Sequence, residues 1–241
     1  MRARDERAVA RAPVNGGATA PEAVPALYGL LRRLTRPLLR SLFQFRVLGL
    51  EQVPGSGPFI VAANHANYLD AVVLGAALPR WIAFLVTPWV YRATPLHPSF
   101  HRHVGSIPIN LERPDPGAIR RALRVLVGGG VVGIFPEGPF GLNGRLIEGQ
   151  PGVALLALRS GVPVIPAAIG GTYEALLDRR FYIPRWTPLQ VRFGAPLTFH
   201  RPGSRPLTQR LREEITRRIM GEIARLLAAD GDAPGPSGPR R

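Results

Sequence analysis

Segment 64–70 reads Asn-His-Ala-Asn-Tyr-Leu-Asp and brings a histidine, His65, within five positions of a carboxylate, Asp70. Such a pair is the smallest general-base unit, because the carboxylate fixes the imidazole tautomer and stabilises the cation that forms when the ring accepts a proton. Five residues of an ideal helix leave the two side chains about 140° apart, so they cannot share one helical face. They can meet only if His65 lies on a turn and Asp70 begins the following helix. A polar loop with an N-capping asparagine explains the segment equally simply.

A second candidate segment, 135–145, reads Phe-Pro-Glu-Gly-Pro followed by Phe-Gly-Leu-Asn-Gly-Arg. Its glycines let the backbone approach a ligand closely, and exposed N–H groups in such loops bind anions. Glu137 and Arg145 add a carboxylate and a guanidinium to the segment. Taken alone, a turn-rich connection with no ligand remains the simpler explanation.

Two further segments lie near predicted strands. Segment 105–113 contains Gly-Ser-Ile-Pro-Ile-Asn and ends at Arg113, a guanidinium that could bind a phosphate bidentately or simply be solvated. Segment 161–166, Gly-Val-Pro-Val-Ile-Pro, places two prolines in an apolar strand, which predicts an edge position or an interrupted ladder. It could line a lipid groove or belong to the core.

Short apolar segments alternate with amphipathic ones, and these elements must position the candidate residues. We predict strands at 58–63, 82–87, 104–109, 131–135, 162–169 and 189–193, and helices at 68–78, 116–127, 152–159 and 207–229. This alternation predicts an α/β fold with a mostly parallel central sheet flanked by helices. Ligands gather at the carboxyl ends of strands in such sheets, and both segment 64–70 and segment 135–145 fall there.

An amino-terminal amphipathic helical segment, 22–45, precedes this alternation. Its apolar face consists of Leu27, Leu31, Leu34, Leu38, Leu42 and Phe45. Another face carries a stripe of arginines, Arg32, Arg36 and Arg40. Pro37 is expected to kink or split the helix. A cationic helix with a leucine face is typical of an interfacial membrane anchor, whereas a core-packed helix with solvated arginines explains the pattern equally well.

Composition narrows the class of protein. The 241 residues carry a net charge of +15, every basic residue is arginine, and no cysteine is present. Thiolate nucleophiles, disulfides and cysteine-ligated zinc are therefore excluded. The charge calls for an anionic partner, either a membrane surface, a phosphorylated substrate or nucleic acid. No nucleic-acid partner is expected, because no known binding module is recognisable.

The sequence divides into four parts. Residues 1–21 and 230–241 are predicted to be disordered tails, 22–45 a membrane-surface helical segment, and 46–229 the α/β domain. The apolar stretch 71–91 is interrupted by two prolines and an arginine, so we predict a buried helix and a strand there, not a membrane span.

In their order and separations, four motifs resemble those of the glycerolipid acyltransferases, which include the 1-acylglycerol-3-phosphate (lysophosphatidate) acyltransferases. The motifs are His-x4-Asp, Gly-x-Ile-Pro, Phe-Pro-Glu-Gly and Val-Pro-Val-Ile-Pro. The resemblance covers about residues 27–227 and is most specific at His65, Asp70, Glu137 and Gly138.

The resemblance implies direct transfer of a fatty acyl chain from acyl-CoA or acyl carrier protein to a lysophospholipid hydroxyl, with 1-acylglycerol-3-phosphate as the expected acceptor. His65 would deprotonate the hydroxyl, Asp70 would orient His65, and no acyl-enzyme, cofactor or metal would be needed. The expected substrate contacts are Asn64, Arg113, Glu137, Gly138 and Arg145.

The resemblance also implies a peripheral or monotopic protein at the cytoplasmic face of the cell membrane, with membrane lipids as partners. The alternatives are a different acceptor, such as glycerol 3-phosphate, another lysolipid, an amino-acid lipid or a glycolipid, or a non-catalytic membrane-surface protein on the same scaffold.

This chain departs from the family pattern at the expected acceptor-phosphate site. The family often has arginine just after the second motif, where Leu111 stands, and threonine or serine followed by arginine after Phe-Pro-Glu-Gly, where Pro139 and Phe140 stand. Arg113 and Arg145 are the candidates to compensate.

Overall fold

The computed structural model describes residues 24–138, 144–176, 185–201 and 206–231. The strands of this part are β1 (Arg46–Leu48), β2 (Phe59–Ala63), β3 (Ile82–Val86), β4 (Ile107–Pro108), β5 (Val131–Ile134), β6 (Val164–Gly170) and β7 (Gln190–Phe193). They form one sheet in the order β1-β7-β6-β2-β5-β3-β4, in which only the β6–β7 pair is antiparallel. The predicted mostly parallel α/β fold is confirmed.

Helices cover both faces of the sheet. They are α1 (Ala26–Phe43), α2 (Leu69–Ala77), α3 (Pro88–Tyr91), α4 (His97–His103), α5 (Pro116–Val127), α6 (Gly152–Ser160), α7 (Thr172–Ala175) and α8 (Gln209–Gly231), with a 3-10 helix at Leu50–Gln52. Side chains of α1 and α2 join one core layer, and those of α5, α6 and α8 join the other. Alternate residues of β2 enter the two layers, which explains why all five are apolar and buried.

The expected edge position of the proline-containing strand is wrong, because β6 lies between β2 and β7. Pro166 cannot donate a hydrogen bond, yet its carbonyl accepts one from Gly194 at 2.8 Å. The ladder with β7 begins only at the next residue, Ala167. The missing N–H therefore falls where that ladder starts, so the sheet tolerates the proline in an interior strand.

The predicted amphipathic helix forms as α1, and Pro37 does not split it. Pro37 removes the hydrogen bond to the Arg33 carbonyl, but both residues are exposed, so water can satisfy that carbonyl. Within α1 only Leu39 and Phe43 are buried. No helix in the described part of the chain is both long and apolar enough to cross a membrane. The segments predicted to be disordered lie outside the described residues, apart from 230–231 at the end of α8.

Candidate active site

The turn that leaves β2 carries His65, and the next helix carries Asp70. β2 ends at Ala63 and α2 begins at Leu69, so His65 precedes the helix and Asp70 is its second residue. The five-residue spacing required this arrangement, with the histidine on a turn and the aspartate in the first turn of the helix. His65 Nδ1 lies 2.8 Å from Asp70 Oδ2; the His65 side chain is 15% exposed and that of Asp70 is fully buried.

The Asp70 carboxylate organises the whole turn. Its Oδ2 atom also accepts hydrogen bonds from the backbone N–H groups of Ala66, at 2.6 Å, and Asn67, at 2.8 Å. Since a carboxylate accepts, Nδ1 of a neutral His65 ring carries the proton and donates it, which makes Nε2 the basic nitrogen. The arrangement can therefore remove a proton from a group presented to Nε2.

Phe135, the residue directly after β5, fixes the plane of the imidazole. The His65 and Phe135 rings are stacked, with centroids 4.1 Å apart and planes inclined by 13°. Phe135 is itself nearly parallel to Phe84, at a centroid distance of 5.9 Å. Sequence reasoning selected the Phe-Pro-Glu-Gly segment but missed this side chain. The available signal was an aromatic residue at the end of a predicted parallel strand.

Glu137 is buried, with 2% of its surface exposed, and it holds the His65 backbone. One carboxylate oxygen accepts from the His65 N–H at 2.7 Å, and the other accepts from the Ile147 N–H at 2.9 Å. Burial raises the pKa of Glu137 above its usual value, and the two N–H bonds act in the opposite direction. The carboxylate thus joins the turn that carries His65 to the backbone at Ile147. Its predicted contact with substrate stays a prediction.

Two asparagines attach the same turn to β6 and to the first residue of α7. The Asn64 amide donates to the Ile169 carbonyl at 3.0 Å and accepts from the Ile169 N–H at 2.8 Å. Asn67, which sequence reasoning did not select, donates to the Thr172 carbonyl at 2.5 Å. Asn64 is only 6% exposed, and both of its observed hydrogen-bond partners are backbone groups of Ile169. Its predicted substrate contact stays a prediction.

The turn at Gly138 adjoins the second motif. Gly138 has a φ of +79°, and a Cβ atom at this position would lie 3.4 Å from Leu111 Cδ1 and 3.8 Å from Gln150 Cγ. Leu111, the residue that stands where the family often has arginine, is therefore next to the Phe-Pro-Glu-Gly turn. An apolar side chain, 44% exposed, borders the site here.

A sequence model of the acyltransferase family matches residues 44–170, a range that includes the whole constellation from Asn64 to Gly138. The chain belongs to the acyltransferase family.

Named relatives of this acyltransferase share part of their length with it. The 1-acyl-sn-glycerol-3-phosphate acyltransferase of Bacillus subtilis is 28% identical over 130 residues, which are 52% of this chain and 62% of that protein. A chloroplastic 1-acyl-sn-glycerol-3-phosphate acyltransferase of Arabidopsis thaliana is 29% identical over 135 residues, 54% of this chain and 37% of that protein. An uncharacterised protein of Mycobacterium tuberculosis is 30% identical over 190 residues, 65% of this chain and 49% of that protein. The chain thus spans less than two thirds of each relative.

The fold also matches a solved structure. The crystal structure of the 1-acyl-sn-glycerophosphate acyltransferase from Thermotoga maritima superposes with a TM-score of 0.67, covering 87% of this chain and 81% of that one at 22% identity. This similarity supports the architecture and the order of the elements.

The two arginines predicted to contact the acceptor are both exposed in this acyltransferase. Arg145 follows Gly144, whose added Cβ would lie 2.4 Å from the Tyr173 ring. Tyr173 is next to Thr172, whose carbonyl accepts from Asn67, so the backbone at Gly144 and Arg145 is near the His65 turn. Arg113 lies two positions beyond Leu111. Neither guanidinium forms a hydrogen bond or ion pair with the described residues of the site. Pro139 and Phe140 lie outside the described residues.

Proposed function

We propose that this acyltransferase moves a fatty acyl chain from acyl-CoA or acyl carrier protein to the hydroxyl of a lysophospholipid, with 1-acylglycerol-3-phosphate as the expected acceptor. The observation that carries the proposal is the 2.8 Å contact between His65 Nδ1 and Asp70 Oδ2 at the carboxyl end of β2. Its position inside the region that matches the family model supports the assignment.

In the proposed mechanism, His65 Nε2 removes the proton of the acceptor hydroxyl while the oxygen attacks the thioester carbonyl carbon. The tetrahedral intermediate collapses, the carbon–sulfur bond breaks, and the departing thiolate takes the proton back from the imidazolium. Asp70 stabilises the imidazolium between these two proton transfers. Phe135 and Glu137 keep the ring and its backbone in place. The acyl group passes directly from donor to acceptor.

A different acceptor is the second candidate, and the position of Leu111 favours it. A phosphate monoester needs cations, yet the side chain next to Gly138 is apolar. Arg145, near the turn, and Arg113, close to Leu111 in sequence, could supply the charge instead. If they do not, the acceptor is a lysolipid, an amino-acid lipid or a glycolipid that lacks a terminal phosphate.

The exposed leucines and arginines of α1 support action at a membrane surface, which we propose is the cytoplasmic face of the cell membrane. A lipid acceptor and a soluble thioester donor would meet there.

The test is an acceptor panel read by mass spectrometry. Purified protein is incubated with acyl-CoA or acyl carrier protein thioester and with lysophosphatidate, other lysophospholipids, glycerol 3-phosphate and lysoglycolipids. The proposal predicts acylated lysophosphatidate, with its KM raised in Arg113→Ala or Arg145→Ala and unchanged in the exposed α8 control Arg217→Ala. If product forms only with another acceptor, that acceptor replaces lysophosphatidate. If KM is unchanged in both arginine variants, neither arginine binds the acceptor phosphate. If no acceptor yields product, the proposed function is contradicted.

A further inference from the structure

Large apolar side chains are exposed on two short helices that the proposed mechanism does not use. In α3, Trp89 is 70% exposed; at the start of α4 and within it, Leu96 and Phe100 are 78% and 43% exposed. In α1, Leu30, Leu34 and Leu38 are each more than half exposed. An apolar patch of this kind on a folded protein marks a surface with a partner.

The three helices that carry these side chains are in contact through α4. α4 packs against both α1 and α3. Inside this arrangement His101 is buried, its ring lies 5.2 Å from that of Tyr91, and its Nδ1 atom is 3.1 Å from Ser106 Oγ. These contacts fix the inner side of α3 and α4, so the exposed apolar residues occupy a defined outer side.

The charged side chains of α1, α3, α4 and the α3–α4 connection are all basic. Ranges 26–43 and 88–103 contain no Asp or Glu, although the chain has 16 acidic residues, and they contain six arginines: Arg32, Arg33, Arg36, Arg40, Arg92 and Arg102. An apolar face bordered by arginines complements an anionic lipid bilayer, in which apolar side chains enter the acyl region and guanidinium groups meet the headgroups. A surface for nucleic acid would not require the exposed leucines.

This surface touches the catalytic turn. The Trp89 ring is stacked with that of Tyr68 at a centroid distance of 6.3 Å and an angle of 28°. Tyr68 lies between His65 and Asp70 in sequence and immediately precedes α2. A bilayer that receives Trp89 would therefore lie beside the proposed base.

We propose that α3 and α4 form a second bilayer-contacting element, continuous with α1, that inserts Trp89, Leu96 and Phe100 into the interface and holds the His65 turn at the lipid surface. The acceptor could then reach His65 without leaving the membrane. The inference rests on the proposed function for the lipid nature of the acceptor, but bilayer contact can be measured without turnover.

Tryptophan fluorescence tests the insertion with conservative variants. The chain has three tryptophans, of which Trp81 is packed and donates to the Val104 carbonyl, while Trp186 is 78% exposed and outside α1, α3 and α4. With vesicles of phosphatidylglycerol and phosphatidylcholine, the full chain should show a blue shift that persists in Trp186→Phe and disappears in Trp89→Phe. A blue shift that Trp89→Phe retains would overturn the proposal.

Vesicle sedimentation tests the contribution of the second element. The double variant Leu96→Ser with Phe100→Ser should reduce the partition coefficient at least about tenfold, because each side chain loses its apolar transfer. Val127→Ser, which removes an 80% exposed apolar side chain at the end of α5, should bind like the unaltered protein. Unchanged binding of the double variant would mean that α1 anchors the protein alone and would overturn the inference. Absence of acyl transfer by the unaltered protein, together with the vesicle binding and the Trp89-dependent blue shift expected here, would contradict only the proposed function.

Discussion

His65 is held by residues from three separate elements. Asp70 of α2 binds its ring nitrogen, Phe135 after β5 stacks on its face, and Glu137 binds its backbone N–H. The sequence allowed prediction of His65 and Asp70, because the pair is local and follows a predicted strand. The roles of Phe135 and Glu137 toward His65 could not be predicted, since both depend on β5 lying beside β2, a neighbour relation between segments about 70 residues apart.

At the residue scale, the two possible roles of Glu137 lead to different kinetics. Glu137→Gln places an amide N–H against one of the two backbone donors, which costs about 1–3 kcal/mol and loosens the His65 turn. We expect kcat to fall while the acceptor KM stays near its original value, measured by steady-state kinetics. A raised KM with unchanged kcat would instead support direct contact with substrate.

The raised pKa of Glu137 gives a prediction for stability against pH. The folded state holds this proton more tightly than the unfolded state, where the carboxyl group has its ordinary pKa of 4.5. The stabilisation is therefore complete below that value and is lost as pH rises through the folded pKa. The free energy of unfolding of the unaltered protein minus that of Glu137→Gln, from urea titrations, should decrease over this range. A difference that stays constant or increases would contradict the burial effect.

Stacking of Phe135 on His65 can be tested by conservative replacement. Phe135→Leu removes an aromatic contact of about 0.5–1.5 kcal/mol, so kcat should fall roughly 2- to 10-fold at an unchanged donor KM. Phe135→Tyr keeps the ring and should restore most of the rate. Phe193→Leu, in β7, provides a core control whose effect should be limited to stability. Equal kcat values for the leucine and tyrosine variants would exclude a role for stacking.

At the element scale, prediction succeeded for the apolar strands and for helices with a clear apolar face. The helix at 116–127 has the predicted bounds, and the six predicted strands all form within a few residues. The short elements β1, α3, α4 and α7 have only three to seven residues and little periodicity of their own, so only their packing reveals them. Of the alternatives predicted for the prolines, the edge strand and the split helix are wrong. Pro166 lies where the ladder with β7 starts, and solvent can satisfy the carbonyl that Pro37 leaves unpaired.

Packing between β5 and β3 supports the site at this scale. A Cβ atom at Gly133 would lie 2.6 Å from both Ile82 and Phe84, and Phe84 lies next to Phe135. Gly133→Ala should therefore lower the free energy of unfolding by about 1–3 kcal/mol and reduce activity, measured by denaturation and by acyl transfer. Gly152→Ala, which meets nothing within 4 Å at the start of α6, should be neutral or stabilising. Equal stability of both variants would contradict the packing described.

At the scale of the whole molecule, exposed apolar side chains are found on the helices near the His65 turn. On one face of the sheet α1 leaves leucines exposed, and α4, which packs on α1, carries arginine and phenylalanine outward. The turn that carries His65 lies at the carboxyl edge of the sheet, beside α3. Base, acceptor surface and lipid-facing helices would thus adjoin one another, which is the arrangement expected of an enzyme that acylates a membrane lipid from a soluble donor.

The most direct test of the central claim is the acyl-transfer rate of His65→Gln, measured by mass spectrometry with the preferred acceptor from the panel. The variant should have the circular dichroism spectrum and the vesicle binding of the unaltered protein, which establishes that it is folded and bound to the membrane. We expect kcat to fall about 10²–10⁴-fold, because the general base is lost. A rate within a few-fold of the unaltered protein would contradict the assignment of His65 as the base.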